Sequence, residues 1–131
     1  SSSKKTLIIK YNGTSWYEVL TVGDSILGTG LPMETINSAE SLDITLTTNM
    51  FLVDGTTDVA YIKTTGRTVG AIIYIKAISS FDLISLGASP GAGYAKINLG
   101  YIAATPDLEA GDICSLIYDG TVWNLLSTTA A

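Results

Sequence analysis

Apolar and polar residues alternate along this chain in short runs, and no stretch keeps the three-to-four-residue spacing of an amphipathic helix over a long window. That period of two predicts an all-β protein. After "KTLIIKY" and "WYEVL" near the start, the runs that read as strands are "LDITLTT", with Leu42, Ile44 and Leu46 on one face, "MFLV", "DVAYIK", "VGAIIYIKAI", "FDLISL", "YAKINL", "DICSLIY" and "TVWNLLS". Turn signals separate them, among them Asp54-Gly55, Thr65-Gly66, the loop "GASPGAG" at residues 87–93 and "TPDLEAGD". Short strands at this spacing predict an antiparallel sandwich, a jelly-roll-like body or a small prism.

Two segments nearly repeat each other. "LIIKYNGTSWYEVL" at residues 7–20 returns as "CSLIYDGTVWNLLS" at 114–127, so that Tyr11, Gly13, Thr14 and Trp16 correspond to Tyr118, Gly120, Thr121 and Trp123. Asn12-Gly13 and Asp119-Gly120 each lie between β-prone runs. This predicts two hairpins with two-residue type I′ turns, which need positive φ at both central positions. Residues 21–41 are rich in Gly, Ser and Thr and contain Pro32, which predicts a linker with room for a short helix over Glu34–Ala39. The expected organisation is an N-terminal arm with a β-hairpin over 1–20, a linker over 21–41 and a β-sandwich body over 42–131 that ends in the tryptophan hairpin.

One strand reads as covered on both sides. In "VGAIIYIKAI", Val69, Ala71, Ile73, Ile75 and Ala77 share one face, while Ile72, Tyr74 and Ile78 share the other with Lys76 and Gly70. A sheet with one wet face alternates apolar with polar, so a two-faced strand predicts a partner sheet on one side and another chain on the other, a pattern that a central strand of a large sandwich would also give. The closing hairpin behaves alike, with Trp123 and Leu125 pointing one way and Val122 and Leu126 the other. Composition strengthens this reading: 47% of residues are hydrophobic and only 15% charged, against about 25% charged in ordinary globular domains, and the mean hydropathy is +0.37. The longest apolar stretch is broken by Gly70, Lys76 and Ser79, so insertion into a membrane as a helix is not expected and the excess is assigned to protein interfaces. The residues expected at the attachment and oligomer interfaces are Ile8, Ile9, Tyr11 and Trp16 in the arm, and Ile72, Tyr74, Trp123 and Leu126 in the body.

Charge and chemistry narrow the field further. The net charge is −5 and the seven basic residues are scattered, so no nucleic-acid partner is expected. With no histidine and a single cysteine, Cys114, the chain can form neither an internal disulfide nor a cysteine/histidine zinc site, and no general acid/base set is visible. No cofactor, metal or enzymatic activity is expected. Asp54 and Asp58 in "VDGTTD" are the best carboxylate pair for glycoside hydrolysis, but turn chemistry accounts for both. "GASPGAG" lacks the Lys-Ser/Thr of a phosphate loop. Cys114 reads as a small buried hydrophobe, and Asn12-Gly13-Thr14 matches a glycosylation sequon that the turn already explains. "SSSKKT" is not followed by the apolar region of a signal peptide, and Ser1 fits removal of an initiator Met.

The order of "GTTDVAYIKTTGRTVGAIIYIKAIS", a Gly-rich loop, "INLG" and "LEAGDICSLIYDGTVWNLLS" resembles the C-terminal β domain of bacteriophage fibre, spike and head-fibre proteins. The resemblance covers residues 42–127, and "YNGTSWYEV" in the arm looks like the tail of the same unit displaced to the front. It implies a homotrimeric virion structural protein, carried on the capsid surface and made in the host cytoplasm, whose partners are sister chains and the major capsid protein or another virion protein. The long repetitive shaft, coiled-coil heptads and collagen triplets of long fibres are absent from these 131 residues. A capsid decoration, cement or head-fibre role therefore fits better, with attachment through the arm by β-augmentation. The alternative implied by the same resemblance is a receptor-binding tip of a tail fibre or spike that recognises a host surface glycan or protein, with Tyr94 and Tyr101 available to stack on a sugar.

Overall fold

In a computed structural model of the chain, which describes residues 5–11, 13–14, 16–23, 32–100 and 105–130, and only the backbone over 5–10 and 16–23, the polypeptide divides after Pro32 into two units. The first is a hairpin of β1 (Lys5–Tyr11) and β2 (Trp16–Gly23), paired antiparallel as a two-stranded sheet. The second contains β3 (Met33–Asn37), β4 (Ser41–Leu42), β5 (Met50–Asp54), β6 (Tyr61–Lys63), β7 (Ile72–Ala77), β8 (Phe81–Asp82), β9 (Tyr94–Asn98), β10 (Asp107–Leu108), β11 (Ile113–Tyr118) and β12 (Trp123–Thr128). No helix occurs among the described residues, as the period of two predicts.

Two boundaries differ from the sequence reading. Residues 33–37, inside the expected linker and at the start of its possible helix, form a strand: parallel pairing with β5 places Ile36 against the core, and this tertiary contact outweighs the polar local composition. The body therefore begins at Met33. In "LDITLTT", only Leu42 belongs to a strand; the Ile44 N–H turns back to the Leu42 carbonyl at 3.2 Å, so Ile44 stays buried while Leu46 is 61% exposed.

Eight strands of the body make one sheet in the order β3-β5-β7-β11-β12-β9-β6-β4, while β8 and β10 form a separate pair. The chain travels back and forth between two flanks: β3, β5 and β7 are parallel neighbours on one side, and β4 and β6 are parallel neighbours on the other. The last hairpin joins the flanks, with β11 antiparallel to β7 and β12 parallel to β9. The expected antiparallel sheet is thus corrected to a mixed one. A parallel neighbour requires a crossover, and here each crossover contains a strand of the opposite flank, an arrangement that alternation within a strand cannot reveal.

The end strands of this sheet, β3 and β4, are separated in sequence only by residues 38–40, a span of at most about 14 Å, and the sheet is accordingly nearly closed. Side chains hold the seam where the backbone ladder stops. Glu34 of β3 accepts hydrogen bonds from the hydroxyls of Thr45 and Thr47 at 2.6 and 2.7 Å. Arg67 donates to the carbonyls of Thr45 and Thr48 at 2.6 and 2.8 Å, and to the Asn49 side chain. Inside, alternate residues meet: Phe51 and Val53, Ile73 and Ile75, Ala95 and Ile97, Cys114 and Leu116, with Phe81 and Leu108 from the smaller sheet.

The repeated sequences are also repeated structures. In the arm the register is Tyr11↔Trp16, Lys10↔Tyr17 and Ile9↔Glu18, then a bulge, then Ile8↔Leu20 and Leu7↔Thr21. In the body it is Tyr118↔Trp123, Ile117↔Asn124 and Leu116↔Leu125, then a bulge, then Ser115↔Ser127 and Cys114↔Thr128. Val19 and Leu126 are the residues skipped. The body turn spans 119–122 and is longer than the expected type I′ turn, while the type I′ turn expected at Asn12-Gly13 lies partly outside the described residues. Gly13 and Gly120 take φ of 93° and 95°, but Asp119 does not have positive φ. Its carboxylate instead accepts the N–H groups of Thr121 and Val122, both at 2.8 Å, and the Asn124 amide at 2.9 Å, closing the turn from the side chain.

Candidate functional site

The outward-facing positions of the sheet follow from its register. One row runs Met33, Met50, Tyr74, Ser115, Ser127 across β3, β5, β7, β11 and β12; a second runs Thr35, Leu52, Lys76, Ile113; a third pairs Ile72 with Ile117. Core side chains lie on the opposite face of the same strands, so this outer face carries apolar side chains of which some are open to solvent, although Ser115 in its first row is buried. Met33 is 49% exposed, and Tyr74 and Ile113 are each 42% exposed. Met50, Leu52, Ile72 and Ile117 are half-buried among them. The polar members of the first row satisfy each other, the Ser115 and Ser127 hydroxyls sharing a hydrogen bond of 2.7 Å.

Leu126 enlarges this face because of the bulge. The extra residue in β12 opposite the Ser115–Leu116 step cannot join the ladder, and its side chain is left 54% exposed beside Ser127. The only charge within the rows is Lys76, flanked across the strands by Leu52 and Ile113; the ion pair found among the described residues lies elsewhere, between Lys63 and Asp43 at 2.8 Å. Covering a half-exposed side chain of this size contributes roughly 1 kcal/mol before association costs.

Of the residues expected at interfaces, Ile72, Tyr74 and Leu126 come together on this face. Trp123 does not, and that expectation is corrected. Its ring is wholly buried, its indole N–H donates to the Ile62 carbonyl at 3.1 Å, and Tyr118 packs on it with ring centroids 5.2 Å apart. No partner can reach it. Tyr11 ends β1 and is 54% exposed; the side chains of Ile8, Ile9 and Trp16 lie outside the described residues. Met33 and Ile113 were not singled out in the sequence, because only the strand register shows that they share a face with Tyr74.

The chemical candidates have structural duties. Asp54 accepts the Gly55 N–H at 2.9 Å and the Ser79 hydroxyl at 3.0 Å, and Asp58 accepts the Asp82 N–H at 3.0 Å. In the Gly-rich loop, the Gly87 and Ala88 carbonyls accept from Lys96 and Tyr61. Burial pushes the Cys114 thiol up to about 12, far from the range of a reactive thiolate. Asp107, Glu109, Asp112 and Thr129 line a shallow cavity of about 210 Å³, where Asp112 accepts the Glu109 N–H and the Thr129 hydroxyl. Among the described residues no cluster of His, Cys, Asp or Glu is arranged to hold a metal ion, and no helix is long and apolar enough to cross a membrane.

No protein-family model, curated protein or solved structure matches this chain.

Proposed function

We propose that this chain is a bacteriophage virion structural protein, a capsid decoration, cement or head-fibre component that assembles as a homotrimer and attaches to the head through its N-terminal arm. The observation that carries the self-association is the apolar outer face built from Met33, Tyr74, Ile113 and Leu126, in a chain with few charges. Exposed apolar side chains gathered on one face of a sheet mark a protein contact. The division after Pro32 supports the arm's role, since attachment through a hairpin that forms its own unit leaves the body's core undisturbed. The virion assignment rests on the resemblance of the strand and hairpin sequences to phage fibre and head-fibre β domains.

The test has two readings. Light scattering of the purified chain should give three times the mass of one polypeptide, and Tyr74→Asp combined with Ile113→Asp should lower it while leaving the body's β-sheet circular dichroism intact. Imaging of whole particles should then place the protein on the capsid surface, and a chain lacking residues 1–20 should fold but leave its particle bare. Full occupancy by the truncated chain contradicts attachment through the arm, and density at a tail tip assigns receptor binding instead.

A further inference from the structure

The arm hairpin is a structural copy of β11–β12, and that copy shows what surrounds such a unit when it is fully built. In the body, β11 has β7 on its outer edge and β12 has β9 on its outer edge, so every strand of the hairpin lies between two others. In the arm, β1 and β2 have only each other as strand neighbours among the described residues. Yet these are the longest strands described, seven and eight residues, against at most six in the body. A lone two-stranded hairpin is marginal in water, and long edge strands without proline are templates for further pairing. "KTLIIKY" and "WYEVLTVG" contain no proline and are rich in β-branched and aromatic residues.

We propose that both edges of the arm are occupied by arms of sister copies, β1 of one chain lying against β2 of the next. Charge selects this order. Lys5 and Lys10 lie on β1 and Glu18 on β2, so pairing β1 with β1 sets lysine-bearing strands side by side, whereas β1 with β2 sets opposite charges on neighbouring strands. Contact between unlike edges is head-to-tail, and it ends only when the ring closes and every strand has two neighbours. The arms then form one common stalk, and attachment through it uses its side-chain surface in place of the β-augmentation expected from the sequence, which needs a free edge. This inference rests on the self-association proposed above and not on the virion assignment, and it names the second contact that holds the copies together.

Residue-resolved amide exchange on the purified full chain tests it. A two-stranded hairpin protects alternate amides, because every second N–H points away from its partner. Sister arms on both edges protect consecutive amides over 5–11 and 16–23, slowing both sets by about tenfold or more relative to an open chain. In a sample mixing isotope-labelled and unlabelled copies, β1 amides of labelled chains should show contacts to β2 of unlabelled ones. Alternate protection in a sample whose mass is a multiple of one chain overturns this inference and leaves the outer-face association standing. Consecutive protection without labelled-to-unlabelled contacts also overturns it, since the edges are then covered within one chain. A single-chain mass overturns it together with the proposed self-association.

Discussion

The hairpins β1–β2 and β11–β12 share a turn glycine with nearly the same φ, a Tyr opposite a Trp, and a bulge at the same step, but they belong to different sheets. The body copy is the piece that unites the two flanks of the eight-stranded sheet, and its tryptophan is sealed in the core. The arm copy belongs to a unit without that core. The shared features are those that a hairpin can set locally: turn chemistry, register and bulge. Burial, and therefore most of the stabilisation, comes from elements distant in sequence, such as Ile62, whose carbonyl receives the Trp123 indole N–H.

The largest expected effect separates the two copies. Trp123→Ala should destabilise the body by about 3–5 kcal/mol, because removing a buried tryptophan leaves a cavity as well as losing transfer energy. Trp16→Ala, in the other unit, should leave the denaturant midpoint of the body within about 0.5 kcal/mol of the parent if the two units unfold independently. Equal losses would show that the arm and the body unfold together and would remove the contrast. The turn glycines give a finer comparison. At Gly120 an added Cβ meets both the strain of φ 95° and Val69 Cγ2 at 3.0 Å, whereas at Gly13 φ is 93° and no described atom lies within 4 Å. Gly120→Ala should therefore cost the body about 1–3 kcal/mol. Gly13→Ala should loosen only the arm, read as faster exchange of β1 and β2 amides with an unchanged body midpoint.

Much of this contrast was legible in the sequence, and the limits have identifiable causes. The alternation in "VGAIIYIKAI" correctly divides Ile73, Ile75 and Ala77 from Ile72 and Tyr74, since a strand's two faces are a local property. The near-repeat of the hairpins was visible because turn and cross-strand residues are close in sequence. Strand order was not visible: β3 reads as a polar linker until β5 is known to lie beside it, and its parallel partners arrive by crossovers that leave no periodic mark. The outer face was only partly legible for the same reason, because Met33 and Ile113 join Tyr74 through register across four strands. Trp123 was assigned to an interface as well as to packing, and its indole hydrogen bond to β6, far away in sequence, decides for packing.

The smallest expected effect concerns the single turn residue at which the copies differ in charge, Asp119 in the body and Asn12 in the arm. Hydrogen bonds from the Val122 N–H, the Asn124 amide and the Thr121 N–H hold the Asp119 carboxyl below the ordinary aspartate range. A carboxylate with a lowered folded-state value adds stability that is complete above its unfolded value, about 3.9, and is lost as pH falls through the lower folded value. The body's unfolding midpoint should therefore decline on acidification through that window, with Glu34 at the seam adding to the decline because the Thr45 and Thr47 hydroxyls lower its value too. Asp119→Asn should flatten the Asp119 part of the profile while leaving the Glu34 part, and should make the body turn resemble the arm's. Amide exchange in the arm, corrected for its intrinsic pH dependence, should show no step from Asn12, whose amide does not titrate in this range. An acid profile unchanged by Asp119→Asn would mean that the carboxylate holds the turn no more tightly than a neutral amide does, and the difference in charge between the two copies would then carry no difference in energy.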